Sequence, residues 1–205
     1  IPRDGRHVEC LHRVVELRTG QGGGQLGAKG GHGRLAHRGA GTGVATTAGD
    51  TWTLAERRPE NFTLVVFYRG LHCPLCKLYL RDLDRRWEEF QQRGVEVIAV
   101  SGDTGERARR TREEWGLRHL PLGYGLAIEE ARAWGLYISS SRGITSAGVS
   151  EPERFPEPGL FLIRPDGTLY AGAVQTMPFA RPNFAELLQA VDFVLANDYP
   201  ARGEA

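Results

Sequence analysis

The chain has 205 residues, enough for one good-sized domain, and its 40% hydrophobic and 25% charged residues are typical of globular proteins. Its 26 Lys and Arg residues nearly balance 25 Asp and Glu residues, so charge gives no reason to expect a nucleic acid or a membrane surface as a partner. No stretch approaches the roughly 20 apolar residues that span a bilayer, and the start lacks the apolar run of a signal peptide. A cytoplasmic location is therefore the expectation.

The first fifty residues differ in composition from the rest of the chain. They hold 13 of the 27 glycines and four of the six histidines. The run from Gln21 to Gly43 has no periodicity and almost no large apolar side chain, so it cannot bury enough surface to offset its chain entropy. Residues 1–49 are predicted to be a disordered or aberrant segment without a strand, and 50–203 to be the folded domain. The composition fits both a genuine extension and GC-rich coding sequence translated out of frame.

From Thr51 onward the apolar patterning is regular. The β-rich run Thr63–Tyr68 predicts a buried strand, and apolar residues at helical spacing from Cys76 to Phe90 predict one helix that ends near Gly94. The further predicted elements are a strand at 95–101, a helix at 104–115, a strand at 122–124, a helix at 127–134, a loop at 136–157, strands at 160–163 and 168–174, and a helix at 183–196.

This order of elements predicts the fold class. Strands separated by helices are parallel, whereas the turn Pro165-Asp166-Gly167 joins the last two strands as an antiparallel hairpin. The chain is therefore predicted to be an α/β protein with a mixed central β-sheet flanked by helices on both faces.

Two of the three cysteines form the motif Cys73-Pro74-Leu75-Cys76, where the first strand passes into the first helix. Pro74 suits the first helical turn because it has no N–H to leave unsatisfied there, which places Cys73 at about the N-cap. A thiolate there accepts free N–H groups and lies at the positive end of the helix dipole. We therefore expect an exposed Cys73 with a lowered pKa and enhanced reactivity. Cys76, partly under the helix, is placed to form or resolve a disulfide with it.

Two other interpretations of the motif remain open. A CxxC can be half of a zinc site, but a structural zinc site needs four ligands, and the remaining cysteine, Cys10, lies in the glycine-rich segment. The two cysteines can also be purely structural. We favour thiol redox chemistry, with no metal and no organic cofactor.

Three further residues are candidates for the site. Pro158 immediately precedes the strand that begins at Gly159, where thioredoxin folds place a cis-proline facing the CxxC. We therefore predict a cis Glu157–Pro158 bond beside the cysteines, with an ordinary trans loop proline as the alternative. Arg69 either supports a thiolate or is solvated. His72 either tunes Cys73 or is an exposed side chain without a role.

Several stretches resemble the peroxiredoxin-like branch of the alkyl hydroperoxide reductase/thiol-specific antioxidant family, which has a thioredoxin-like fold. They are Phe67–Cys76 (FYRGLHCPLC), Val95–Ser101, Phe161–Gly167 and Phe179–Glu186. The resemblance covers about residues 50–203. It implies a hydroperoxide or disulfide substrate and a thioredoxin- or glutathione-type electron donor, and it allows a homodimer.

The chain departs from this family in its catalytic motif. Peroxiredoxins carry Pro-x-x-x-Thr-x-x-Cys; with Cys76 aligned to the peroxidatic cysteine, Arg69 stands at the Pro position and Cys73 at the Thr position. The arginine that the family places before the late strand is replaced by Pro158, as in thioredoxins. The predicted catalytic set is therefore Cys73, Cys76, Pro158 and Arg69.

The prediction for function is a peroxiredoxin-like enzyme that reduces hydroperoxides through the Cys73/Cys76 pair. A thioredoxin-like thiol-disulfide oxidoreductase and a redox-inactive thioredoxin-fold binding module are the alternatives. Helix electrostatics and exposure favour Cys73 as the general nucleophile, whereas the family alignment favours Cys76 as the residue that reacts with peroxide.

Overall fold

The computed structural model describes residues 43–203. The prediction that the glycine-rich segment is disordered therefore lies almost wholly outside the described residues, as does Cys10. The elements are, in chain order, β1 (Val44–Thr46), β2 (Thr51–Trp52), a 3-10 turn (Leu54–Glu56), β3 (Phe62–Phe67), α1 (Pro74–Arg85), α2 (Trp87–Gln91), β4 (Val95–Val100), α3 (Gly105–Trp115), β5 (Leu122–Tyr124), α4 (Ile128–Ala133), β6 (Ile138–Ser140), β7 (Arg154–Pro156), β8 (Gly159–Ile163), β9 (Leu169–Val174) and α5 (Phe184–Asn197).

The main sheet has seven strands in the order β2-β1-β5-β4-β3-β8-β9. Strands β3, β4 and β5 are parallel neighbours, whereas β8 runs antiparallel to β3 and β9 antiparallel to β8. At the other edge, β1 is antiparallel to both β5 and β2. The predicted mixed sheet is confirmed.

Strand β3 is buried along its whole length because both faces of the sheet are covered. Leu64 and Val66 point into the core that contains residues of α1, α2 and α5, whereas Val65 and Phe67 point into the core that contains residues of α4. Helices therefore flank both faces of the sheet, as predicted.

The long helix predicted from Cys76 to Phe90 is interrupted. Helix α1 begins at Pro74 with Cys73 as its N-cap, as expected, and it ends at Arg85. Arg86 has a ψ of 3°, and α2 starts at the next residue. The apolar spacing continues across this break, which is why the periodicity did not reveal it.

Helices α3 and α5 begin where their capping residues indicate. The hydroxyl of Thr104 accepts the N–H of Arg107, and Gly116 closes α3 with a φ of 66°. The side-chain oxygen of Asn183 accepts the N–H groups of Ala185 and Glu186 at the start of α5. Both predicted helices are confirmed within about two residues.

Two short pairs of strands were not predicted. Strand β1 lies in the segment expected to have no strand, and its Ala45 pairs with Thr51 and with Tyr124. Strands β6 and β7 form a separate two-stranded sheet in the region predicted to be a loop, 136–157. Each of these strands has at most three residues, too few to give a periodic signal.

No helix in residues 43–203 is both long enough and apolar enough to cross a membrane.

Candidate active site

The cysteine motif lies at the carboxyl end of β3, where the chain turns into α1. Cys73 has extended backbone angles, φ −101° and ψ 101°, and its Sγ accepts the backbone N–H of Cys76 at 3.2 Å. The two residues form a disulfide with a Cα–Cα distance of 5.2 Å, a separation typical of disulfides. As predicted, Cys73 is the N-cap residue of α1 and is paired with Cys76.

The expectation that Cys73 is exposed is wrong. Cys73 is 2% exposed and Cys76 is 0% exposed. Both belong to the same apolar cluster as Leu71 and Leu80, because the turn before the helix and the first turns of α1 face the core of the domain. An oxidant or reductant must therefore reach sulfur atoms that lie below the surface.

Arg181, in the segment before α5, reaches the two sulfur atoms. Its Nη2 lies 3.3 Å from Sγ of Cys76 and 3.9 Å from Sγ of Cys73. Its guanidinium carbon lies 4.8 Å from the centre of the Tyr79 ring, and the hydroxyl of Tyr79 donates to the carbonyl of Pro182 at 2.8 Å. Through Tyr79, helix α1 therefore helps to position Arg181 next to Cys73 and Cys76, which lie at the start of the same helix.

Arg181 brings a positive charge into a partly buried position. Burial lowers the pKa of Arg181, an effect that the charge of Arg69 reinforces, while Tyr79 and Glu157 raise it. A guanidinium has so high a reference pKa that it stays charged nonetheless. Its Nε and Nη1 have no hydrogen-bond partner within residues 43–203. The site therefore holds a cation with unused donors next to the reactive pair.

Arg69 is partly buried, and its observed contacts are with carboxylates and an aromatic ring rather than with a sulfur atom. Its Nε lies 3.6 Å from Oε2 of Glu157, and its Nη2 lies 3.4 Å from Oε1 of Glu151. Its guanidinium carbon also lies 4.6 Å from the centre of the Phe155 ring. Arg69 therefore ties the cysteine turn to β7 and the loop before it.

The predicted cis peptide bond at Pro158 is wrong, since the residues that the structure describes contain no cis peptide. The chain runs extended from β7 into β8, with the Glu157 N–H donating to the Tyr137 carbonyl at 2.7 Å and the Pro158 carbonyl accepting from Gln175 at 3.0 Å. An extended chain with these bonds suits the trans isomer, which most X–Pro bonds adopt. Pro158 is buried and precedes Gly159, which pairs with the last residue of β3. Pro158 therefore lies at the end of the sheet where the chain leaves β3 and enters the turn that carries the cysteines.

His72 is buried rather than exposed. It has 0% exposure, and its ring centre lies 4.7 Å from that of Phe155. Neither ring nitrogen has a hydrogen-bond partner among the described residues. Desolvation, together with the charges of Arg69 and Arg107, lowers the pKa of His72 to about 3. The imidazole is therefore neutral near pH 7 and brings no positive charge to Cys73.

Asp103 fixes the turn that carries the cysteines. Its Oδ2 accepts the N–H of Leu71 at 2.7 Å, and its Oδ1 accepts from Nε of Arg107 at 2.7 Å. Gly70 has a φ of 126°, and a Cβ added there would lie 2.7 Å from Oδ2 of Asp103. The turn passes so close to the carboxylate that only glycine fits at this position.

Among the described residues no group of three or more His, Cys, Asp and Glu side chains is arranged to hold a metal ion.

The fold and the buried cysteine pair define a thiol oxidoreductase with a thioredoxin-like fold. Residues 40–171 match the AhpC/TSA family, and the chain belongs to that family. The prediction of a peroxiredoxin-like thiol oxidoreductase that reduces hydroperoxides is thereby confirmed. No curated protein matches the chain.

Solved peroxiredoxin structures share the fold. A cysteine-to-serine mutant of PrxQ from Xylella fastidiosa has a TM-score of 0.60 at 17% identity, covering 85% of this chain and 100% of that one. The bacterioferritin comigratory protein of Xanthomonas campestris has a TM-score of 0.59 at 17% identity, covering 75% and 92%. A cysteine-to-serine mutant of peroxiredoxin 6 from Arenicola marina has a TM-score of 0.58 at 19% identity, covering 76% and 71%.

Arg181 is the residue that sequence reasoning missed. It lies within Phe179–Glu186, one of the stretches that carried the family resemblance, so its neighbourhood was noticed but not its role. It is 105 residues from Cys76 along the chain, and no local pattern connects the two.

Proposed function

We propose that Cys76 is the thiol that attacks the hydroperoxide and that Cys73 resolves the product. The observation that carries this proposal is the position of Arg181, whose Nη2 is closer to Sγ of Cys76, at 3.3 Å, than to Sγ of Cys73, at 3.9 Å. In the reduced protein the same cation would stabilise a thiolate at Cys76, and the thiolate is the nucleophilic form of cysteine.

The first step transfers an oxygen atom. The Cys76 thiolate attacks the terminal oxygen of ROOH, the O–O bond breaks, and the sulfur becomes a sulfenic acid. The alkoxide that leaves takes a proton and departs as ROH. Negative charge grows on the leaving oxygen in this step, and donors that already face it lower the barrier. The guanidinium of Arg181 supplies such donors, since its Nε and Nη1 have no partner among the described residues.

The second step forms the disulfide. The thiolate of Cys73 attacks the sulfur of the Cys76 sulfenic acid, which loses its oxygen as water. The Cα atoms of the pair are 5.2 Å apart across the first turn of an intact α1. The helix therefore does not have to unwind for the pair to close.

The third step returns the disulfide to two thiols and needs two electrons from a thiol donor of the thioredoxin or glutathione type. A cytoplasmic location fits this requirement, because that compartment keeps such donors reduced. The homodimer stays a prediction, which size-exclusion chromatography with light scattering checks.

A thiol-disulfide oxidoreductase is the second candidate, and one observation favours it. The Sγ of Cys73 is at the N-cap of α1 and accepts the N–H of Cys76 at 3.2 Å. The helix terminus would stabilise a thiolate at Cys73. In that function Cys73 would attack a substrate disulfide and Cys76 would resolve the mixed disulfide.

Two single variants, Cys73→Ser and Cys76→Ser, distinguish the candidates. Each reduced variant is given stoichiometric peroxide and a sulfenic-acid trap, and peptide mass spectrometry locates the label, since Cys10 can also react. Label at Cys76 in Cys73→Ser, with none at Cys73 in Cys76→Ser, is the expected result. The reverse pattern, with mixed disulfides trapped on Cys73, would support the disulfide reductase. No label in either variant would contradict peroxide chemistry at this pair.

A further inference from the structure

Tyr79 lies one turn after Cys76 on α1 and contacts three residues of the segment that leads into α5. The guanidinium carbon of Arg181 lies 4.8 Å from the centre of the Tyr79 ring. The Tyr79 hydroxyl donates to the carbonyl of Pro182 at 2.8 Å, and its ring stacks on that of Phe184, with the centres 4.3 Å apart. The proposed nucleophile and the side chain that holds its cation therefore belong to the same helix.

We propose that Tyr79 is a positioning residue for the reaction of Cys76 with hydroperoxide, because it holds Arg181 beside the sulfur atom without neutralising its charge. The inference rests on the proposed function, in which Cys76 is the attacking thiol and Arg181 is its cation. The effect of Tyr79 is exerted through the guanidinium, so Tyr79 is not itself a catalytic residue.

An aromatic ring holds this arginine in a way that a carboxylate could not. Within residues 43–203, Nε and Nη1 of Arg181 have no hydrogen-bond partner, and Nη2 contacts the two sulfur atoms. A carboxylate would bind the guanidinium more firmly, but it would occupy these donors and offset their charge. The face of a ring attracts a cation electrostatically and uses none of its N–H groups. The ring of Tyr79 therefore fixes Arg181 and leaves its donors free for a thiolate and for the leaving oxygen.

Arg181 needs such a contact because its side chain is long and flexible. Ordering an arginine side chain costs conformational entropy, and a charged group stabilises a transition state best when it is already in place. In the reduced protein the contacts of Nη2 with sulfur change as the thiols ionise, whereas the contact with the Tyr79 ring does not involve the cysteines. The ring therefore keeps the guanidinium in place before the peroxide arrives.

The hydroxyl of Tyr79 fixes the backbone next to Arg181. Burial raises the pKa of Tyr79, an effect that Arg181 opposes and Asp82 reinforces. The phenol therefore stays protonated at neutral pH and remains a donor to the Pro182 carbonyl. The next residue, Asn183, caps α5 with its side chain. The hydroxyl thus ties the segment that carries the arginine to α1, at the point where α5 begins.

The test varies the charge on the ring face while it keeps the shape of the ring. Tyr79→Phe is compared with monofluoro- and trifluorophenylalanine introduced at the same position of the full chain, because each fluorine weakens the attraction of the ring for a cation. Tyr79→Leu removes the ring altogether. All variants carry Cys73→Ser. The measurements are the pH midpoint of alkylation of Cys76 by iodoacetamide, read by peptide mass spectrometry, and the rate of oxidation by hydrogen peroxide.

We expect the midpoint to rise with each added fluorine. In Tyr79→Leu it should rise by about 0.5 pH unit, with a fall of about threefold in the rate with peroxide. Tyr79→Phe keeps the ring and should show a smaller rise. If Tyr79→Leu does not fold, the fluorinated series decides, since its members share the shape of phenylalanine.

Two controls separate positioning from packing. In the Arg181→Met background, none of the changes at Tyr79 should move the midpoint further, because residues that act through one another are not additive. Phe90→Leu removes a buried ring from the same apolar cluster, where Phe90 contacts Phe184 with ring centres 6.3 Å apart. This variant should lower the thermal midpoint of unfolding but leave the alkylation midpoint of Cys76 unchanged.

Three results would overturn the positioning role of Tyr79. They are an alkylation midpoint that stays constant along the fluorinated series, an equal shift in the Arg181→Met background, and a shift in Phe90→Leu as large as that in Tyr79→Leu. If Arg181→Met alone leaves both the midpoint and the rate with peroxide unchanged, the role of Arg181 in the proposed function fails, and the inference about Tyr79 fails with it.

Discussion

Replacing Arg181 by methionine removes the positive charge beside the sulfur atoms but keeps an unbranched side chain over the Tyr79 ring. The guanidinium lies 3.3 Å from Sγ of Cys76 and 4.8 Å from the centre of that ring. In the reduced protein, loss of the charge leaves a thiolate at Cys76 without its nearest cation. Both the ionisation of this thiol and its attack on peroxide should therefore become less favourable.

The size of the effect follows from the kind of contact. A hydrogen bond to a charged group contributes about 1.5–3 kcal/mol, and the lower figure applies here because Arg181 is only partly buried. About 1.5 kcal/mol corresponds to roughly one pH unit in the ionisation of a thiol. The same energy, if it is also lost in the transition state, lowers the rate with peroxide about tenfold.

The assay is the pH dependence of alkylation by iodoacetamide in the Cys73→Ser background. Mass spectrometry follows the peptide that contains Cys76, since Cys10 is alkylated as well. The midpoint should rise by about one pH unit in Arg181→Met and should recover in part in Arg181→Lys. Arg85→Met is the control, because the Arg85 side chain is 76% exposed and pairs with Asp82. An unchanged midpoint together with an unchanged rate with peroxide would refute the role of Arg181.

Three further predictions concern stability. Deleting residues 1–42 should shift the thermal midpoint by only a few degrees, whereas deleting 1–48 also removes β1 and should lower it further. Asp84→Ala should lower the free energy of unfolding by about 2–4 kcal/mol, because this buried carboxylate accepts the N–H groups of Arg118, His119 and Leu120. In the wild type, stability should fall as the pH drops from 6.5 toward 3, with His72 contributing up to about 1.4 kcal/mol per pH unit; His72→Leu should lack this contribution.

The sign of the pH effect follows from where the proton binds. Between these values the unfolded chain protonates His72, while the folded protein keeps it neutral, so acid favours the unfolded state. Urea denaturation at several pH values measures the effect, and parallel profiles for wild type and His72→Leu would contradict it.

Equal thermal midpoints for the two deletions would show that β1 does not stabilise the fold. A free energy of unfolding in Asp84→Ala equal to that of the wild type would show that the three hydrogen bonds of Asp84 do not stabilise it.

Most of the fold could be predicted because its main elements carry local signals. Strands β3 and β4 are apolar except for Thr63 and Glu96, a pattern expected for strands covered on both faces. Thr104, Gly116 and Asn183 mark helix ends through hydrogen bonds and backbone angles that involve only nearby residues. The break at Arg86 left no such signal, since the residues on both sides of it continue one apolar stripe.

The site was harder to predict because it depends on contacts between distant segments. The N-cap position of Cys73 followed from Pro74, but its burial depends on how the cysteine turn packs against the rest of the domain. The trans bond at Pro158 lies in a segment whose backbone pairs with Tyr137 and Gln175, both more than ten residues away along the chain. The contact of Arg181 with the cysteines could not be predicted, because it depends on how the segment before α5 packs beside α1.

The close approach of Gly70 to Asp103 limits how this protein can vary or be redesigned. A side chain at position 70 would collide with a carboxylate that Leu71 and Arg107 hold in place, in a backbone conformation that disfavours anything but glycine. A saturation library at this position should therefore return glycine alone when selected for activity, even though the residue has no side chain to offer the reaction.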